Sequence, residues 1–236
     1  VFFFFFMGIM ILATYLVPFS YQIALYGWYA GIILHSLFIL IFTLKFLINF
    51  DIKKVFPSYF IVYVGIVVAS VTAPVFNNIA LGQRLFYFGF ISYLILLPII
   101  SYRVFKIGKI KDPALPTIAI FTAPAGLCLA GYMSSFPEKN IMLLSCLIFF
   151  TIISIIAVTL YLPKMLAVGF YPSFSAFTFP FVITAIGLKL TNNYLINKFS
   201  LQFLKYPAFI IEILAIILVS FVFFKYLLFL FSKNKV

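Results

Sequence analysis

The chain has 236 residues, of which 66% are hydrophobic and 8% charged, with a mean hydropathy of +1.27. Soluble domains are about half apolar and a quarter charged, so this composition excludes a water-soluble globular protein, a disordered chain and a disulfide-rich secreted domain. Lys and Arg total 16 against 4 acidic residues, a basic excess that needs either an anionic partner or a membrane explanation.

A membrane-spanning helix with its connection takes roughly 30 residues. The length therefore predicts about eight transmembrane helices in an all-α polytopic membrane protein, with one transmembrane domain over residues 1–236. Span A, residues 1–19, holds five Phe in its first six positions and contains Gly8. The chain opens with Val1 inside this apolar run, without the basic stretch that precedes a signal sequence. It reads as the continuation of a longer protein. Span B, 26–48, opens with Tyr26, Trp28 and Tyr29, aromatics expected at headgroup depth, and carries His35. Span C, 59–76, follows Pro57 and contains Gly65; span D, 85–102, contains Pro98. Span E, 116–133, starts at Pro116 and contains Pro124 and Cys128; span F, 141–162, contains Cys146. Neither cysteine has metal-site or redox spacing, so both read as buried free thiols. Span G, 173–188, follows Pro172 and contains Pro180; span H, 206–231, contains Glu212.

The basic residues alternate in density from loop to loop. Loops B–C, D–E and F–G and the C-terminal end hold Lys45, Lys53, Lys54, Arg103, Lys106, Lys109, Lys111, Lys164, Lys225, Lys233 and Lys235, which is 11 of the 16. The opposite side holds the other five, Arg84, Lys139, Lys189, Lys198 and Lys205. Cytoplasmic loops are enriched in Lys and Arg, which places the C-terminus in the cytoplasm and makes the charge a matter of orientation. No nucleic-acid partner is needed; the partner is the lipid bilayer.

A weak repeat runs through the spans. Pro57, Pro116 and Pro172 are 59 and 56 residues apart, and eight residues after each stands Gly65, Pro124 or Pro180. Gly8 precedes Gly65 by 57 residues. Each copy reads as a two-helix hairpin, roughly 1–48, 57–107, 116–162 and 172–231, whose first helix carries a breaker. A mid-helix proline removes an i→i−4 hydrogen bond, so Pro124 is expected to free the Ile120 carbonyl and Pro180 that of Ala176. Irregular backbone at membrane depth is tolerated where protein or a water-filled cavity covers it. Repeated helices with such breaks can surround an axis and line a pore.

Two ionisable groups stand well inside the spans. His35 reads as a hydrogen-bonded packing residue. Glu212 reads as pairing with Lys205 or with a polar group near the interface, or else as binding a substrate cation. No HExxH, GxSxG, Walker or dinucleotide-binding glycine motif occurs, so neither an enzyme activity nor a cofactor or metal is expected.

The span G segment Phe174-Ser175-Ala176-Phe177-Thr178-Phe179-Pro180-Phe181 resembles the W-A-[FY]-[ST]-F-[PG] signature in the ninth helix of the TehA tellurite-resistance and dicarboxylate transporter (TDT) family, which includes the plant slow-type anion channels. Span E, with Ala123-Pro124 and downstream Tyr132, is similar to that family's seventh helix, and Pro57-Ser58-Tyr59-Phe60 to the start of its fifth. Ser175 stands where the family often has Trp, and Gly65 where it often has Pro. The resemblance implies ten helices as five hairpins around a pore, with kinked helices inside, in a homotrimer with one pore per protomer. Spans A to H would be helices three to ten. It implies an inner-membrane channel or transporter for small anions such as chloride, nitrate or malate, with tellurite resistance as a secondary phenotype. It makes Phe179 the pore gate; the breaker offset then gives Gly8, Gly65, Pro124 and Pro180 as kink or pore-lining positions, and the helical face shared with Phe179 gives Ser175, Val182 and Ile183. The alternative is a proton-coupled C4-dicarboxylate carrier using Glu212; a membrane enzyme or accessory subunit is a third, weaker reading.

Overall fold

The computed structural model describes residues 2–231 apart from Leu47, Asn49 and Lys109. Lys109, Lys233 and Lys235 of the charge count lie outside the described residues. Among those described there is no strand. The principal helices are α1 (Phe2–Leu16), α2 (Tyr21–Phe46), α3 (Tyr59–Phe76), α4 (Ile79–Ile107), α5 (Asp112–Ser135), α6 (Ile141–Leu166), α7 (Pro172–Phe199) and α8 (Lys205–Phe231). Seven of them are long and apolar enough to cross a bilayer; α1 is apolar but shorter, with 15 residues. This is a polytopic all-α membrane protein.

Helix ends follow local chemistry more than hydropathy. The Asn140 side chain caps α6 by accepting from the Met142 and Leu143 amides at 2.9 and 3.1 Å, the usual role of Asn at an N-cap. Asn77 and Ser200 adopt left-handed conformations (φ 52° and 56°) and terminate α3 and α7, as residues just past a helix often do. The sequence reading ends span G at residue 188, but α7 continues to Phe199. No Gly or Pro interrupts residues 189–199, so polar residues extend the helix instead of ending it. Lys189 and Lys198 are therefore helical, not loop, residues. Span B starts earlier than its aromatics suggest, at Tyr21.

Trp28 corrects a second expectation. It is fully buried, stacked on Phe76 with ring centroids 5.0 Å apart, and its indole N–H donates to Thr72 Oγ1 at 2.8 Å. A buried Trp needs a partner for that N–H, and α3 supplies it. Tyr26, in contrast, is exposed.

The helices form two layers. Sequential helices pack as antiparallel pairs, α1 with α2, α3 with α4, α5 with α6 and α7 with α8. The first members also pack on one another in order, α1 on α3, α3 on α5 and α5 on α7. In their most apolar stretches α3, α5 and α7 are 83%, 89% and 61% buried, whereas α2, α4, α6 and α8 are 17% to 28% buried. Helices α3, α5 and α7 are thus the interior and the even helices the lipid-facing coat, while α1 packs against α3 at the edge of the interior.

Close approach in the interior rests on small residues, the normal device where lipid offers no hydrophobic drive to association. A Cβ on Gly126 would lie 2.4 Å from Thr184 Oγ1 and 2.7 Å from Thr184 Cα, and one on Gly187 would lie 2.7 Å from the Gly126 carbonyl oxygen. Helices α5 and α7 therefore touch backbone to backbone. The α3–α5 seam is held by polar groups: Ser135 Oγ donates to the Ser70 carbonyl at 2.5 Å and Ser70 Oγ to the Gly131 carbonyl at 3.2 Å. Because the neighbour at Gly126 is backbone, Gly126→Ala should destabilise the fold by about 1–3 kcal/mol, the usual cost of overpacking. Thermal unfolding in detergent measures this, and an unchanged melting temperature would refute the close approach.

Candidate functional site

Helices α3, α5 and α7 are interrupted at or within a few residues before the breakers of the repeat. In α3 a 3₁₀ turn, Gly65–Val67, separates two short α segments. In α5 the first half, Asp112–Phe121, is 3₁₀ and the second, Thr122–Ser135, is α. In α7 a 3₁₀ turn over Pro172–Phe177 ends at Thr178 (φ −87°, ψ −88°), and the α-helix starts at Phe179. Helix α1 runs unbroken through Gly8.

Pro124 and Pro180 consequently do not interrupt α-helices. Each sits in the first turn of an α segment, where the missing N–H is not needed. The picture of a proline kinking an α-helix is corrected by the same geometry: the change of helix type precedes Pro124, and the Thr122 amide there turns to the Ala119 carbonyl in the 3₁₀ pattern, with that of Ile120 beside it.

The breaks converge on one small void. It is lined by Met7 of α1, Phe60 and Gly65 of α3, Ile120 and Pro124 of α5, and Phe179 of α7. Its volume is about 10 Å³, at the lower limit for a single water. The ring of Phe179 also meets Phe4 of α1 edge-to-face, with centroids 6.5 Å apart. Residues of all four odd helices thus line one small apolar void. Pro180 is buried beside Phe179, and Ile183 is buried further along α7. Gly8 adjoins Met7 but has open space where a side chain would stand. Ser175 is exposed, its hydroxyl donating to the Pro172 carbonyl at 3.0 Å. The i, i+4 relation that would align it with Phe179 is lost because the intervening turn is 3₁₀ and bent at Thr178.

His35 supports the break in α3. It is fully buried, and its Nε2–H donates to the Val62 carbonyl at 3.0 Å, just before the 3₁₀ turn. A Cβ on Gly65 would meet Met7 Sδ at 2.8 Å and His35 Cε1 at 3.0 Å. Thr184 does the same for α5 and α7, its Oγ1 lying 2.7 Å from the Pro180 carbonyl and 3.1 Å from that of Thr122. Side chains from neighbouring helices thus satisfy irregular backbone at membrane depth. Met7 and Phe60 are the closure residues that sequence reasoning passed over. Among so many apolar residues nothing marks them; only the position of Met7 beside Gly8 gave a signal.

Glu212 lies elsewhere. Its Oε1 is 2.5 Å from Lys189 Nζ, in a groove of about 410 Å³ between α7 and α8 that Val182 also lines. The partner is Lys189, not Lys205, because α7 extends past residue 188 and carries Lys189 alongside α8. At the same end of the bundle, burial and the neighbouring Lys198 charge hold the half-buried Lys139 ammonium below the usual lysine range. Among the described residues no group of three His, Cys, Asp or Glu side chains is placed to hold a metal.

The interior thus packs three interrupted helices around one small apolar void. The voltage-dependent anion channel family matches residues 1–227. The chain belongs to that family. No curated protein matches the chain. As a voltage-dependent anion channel family member it is a multi-pass membrane protein of the anion channel and transporter class.

In this family member His35→Phe should leave the Val62 carbonyl buried without a donor, at about 1–3 kcal/mol, while His35→Gln, which keeps a donor, should recover part of that loss. Melting temperatures of the two detergent-purified variants decide it; equal values would refute the role given to the His35 hydrogen bond.

Proposed function

We propose that the chain conducts small anions along the axis between α1, α3, α5 and α7, in the manner of TehA-type proteins, and that Phe179 is the gate. The observation that carries this reading is the convergence of Phe179, Pro124 and Gly65 on one void of about 10 Å³. A hydrated anion cannot enter an apolar gap of that size, and hydrophobic constrictions block conduction by excluding water. Phe179 is half-buried and is the first residue of an α segment that follows the bend at Thr178. A ring at such a hinge can leave the axis by a rotamer change coupled to a small movement of the 3₁₀ turn.

Gly8, Pro180 and Ile183 take supporting places on this reading, and Ser175 belongs to the turn that would move. The chain is proposed to sit in the plasma (inner) membrane with its C-terminus cytoplasmic, as the distribution of Lys and Arg supports. Assembly as a homotrimer with one pore per protomer, and tellurite resistance as a phenotype, follow from the TehA resemblance. The proposed substrates are small inorganic anions or dicarboxylates.

The second reading is a proton-coupled C4-dicarboxylate carrier in which Glu212 takes up the proton. The short contact with Lys189, in a groove away from the closure, favours a structural ion pair over a proton relay. Glu212→Gln should therefore leave anion flux intact; loss of pH-driven malate uptake in that variant would establish the carrier instead.

The gate has a direct test. Phe179→Ala should raise anion flux in proteoliposomes by about tenfold or more, which requires a barrier lower by only about 1.4 kcal/mol. Unchanged flux in a folded Phe179→Ala protein would remove Phe179 from the gate.

A further inference from the structure

A second cavity, of about 270 Å³, lies between α4, α5 and α6 at the basic end of the bundle. Its floor is buried and apolar: Tyr93, Ile118, Phe121 and Val158 are each less than 9% exposed. Its rim is not. Phe105 and Ile153, on α4 and α6, are 66% and 49% exposed on helices of the lipid-facing layer, so the cavity opens sideways into the bilayer. Polar groups add little. The Ser154 hydroxyl is spent on its own helix, donating to the Thr151 carbonyl at 3.0 Å.

Charge stands at one end of this slot. Tyr161 lines it, and the Lys164 ammonium lies 5.2 Å from the centre of the Tyr161 ring. Lys164 has no acidic partner among the described residues, is exposed, and is one turn beyond the slot on α6. Lys106, also exposed, follows Phe105 on the opposite rim. An apolar slot open to hydrocarbon, with cations where the hydrocarbon meets the headgroups, matches one ligand chemistry. That ligand is a hydrocarbon tail carrying an anionic head.

The inner wall links the slot to the closure. In a 3₁₀ helix residues i and i+3 eclipse, so Ile118 and Phe121 share the face toward the slot, while Ile120 between them faces the central void. The Phe121 ring lies edge-on to Phe60, with centroids 5.4 Å apart, and Tyr93 lies 6.0 Å from the same Phe60. Phe60 lines the same void as Phe179. The two aromatic walls of the slot therefore rest on a residue of the closure. Phe121 does so from a 3₁₀ segment, whose hydrogen-bond geometry is poorer than that of an α-helix.

We propose that this slot binds one acyl tail of an anionic membrane lipid, with the lipid phosphate at Lys164, and that the occupied slot sets the position of Phe60 against the central closure through Phe121. The binding half stands on the cavity alone. The coupling half rests on the pore reading given above.

The test uses the detergent-purified chain with phosphatidylglycerol or phosphatidylcholine added, read by native mass spectrometry, and the same proteins in liposomes for anion flux. Lys164→Gln should lower the preference for phosphatidylglycerol over phosphatidylcholine about fivefold, the effect of one lysine near an anionic surface, with total lipid retention kept. Ala157→Phe places a ring in the slot from an exposed position; it should abolish retention of either lipid and change flux severalfold. Retention by Ala157→Phe equal to that of the parent overturns the site, and an unchanged preference in Lys164→Gln overturns the headgroup assignment. Lost lipid with unchanged flux overturns the coupling. A parent chain that retains lipid but carries no anion overturns the pore reading and the coupling with it, and leaves the lipid site standing.

Discussion

Every N–H and C=O buried in the hydrocarbon of a bilayer must find a partner inside the protein, because no water is there to take it. An unbroken α-helix meets that demand alone and can face lipid. A broken helix cannot, and needs neighbours that supply donors and acceptors. The two-layer arrangement follows from this. The interrupted helices α3, α5 and α7 are the most buried, and α2, α6 and α8, which are continuous over their described lengths, form the coat. Helix α4 fits the same rule. Its irregular π turn, Tyr102–Ile107, comes at its end, where the Arg103 guanidinium donates to the Lys53 and Gly108 carbonyls.

Satisfying the breaks from the side ties the interior together. His35 reaches from α2 to the Val62 carbonyl, and Thr184 reaches from α7 to the carbonyl of Thr122 on α5. Close backbone approach at Gly126 and Gly187 brings α5 and α7 near enough for the second of these. The same features that repair the backbone bring apolar side chains to the axis. Met7, Phe60, Ile120 and Phe179 meet there because each stands within a few residues of a point where its helix changes type or packs on one that does. The small central void is a by-product of how the breaks are buried. A small change in one 3₁₀ segment is therefore felt at the void, and the lateral slot touches one such segment.

Much of this was legible in the sequence. Composition alone specifies a polytopic helical membrane protein, because 66% apolar residues cannot be buried in a soluble fold of this length. The spacing of Pro57, Pro116 and Pro172, with a second breaker eight residues on, identifies which helices are interrupted. The motif around Phe179 and Pro180 points to the residue on the axis. Less legible was what the breakers do. Pro124 and Pro180 look like kinks inside helices, yet they begin α segments after 3₁₀ turns, and hydropathy carries no information on helix type. Trp28 looks interfacial because Trp usually is; its burial depends on Thr72 and Phe76, 44 and 48 residues away in the chain.

The sequence by itself determined the solvent, the all-helical class, the repeat and the family. These depend on residue type and local spacing, which the chain carries without folding. Only the tertiary structure decided which apolar residues face the axis and which face lipid, since hydrocarbon and protein interior are equally apolar and hydropathy does not separate them. It also decided that Glu212 pairs with Lys189, because that contact needs α7 to run past residue 188 alongside α8. And it decided that Phe60 and Met7 share the closure with Phe179, a meeting of three helices that no spacing along one chain can specify.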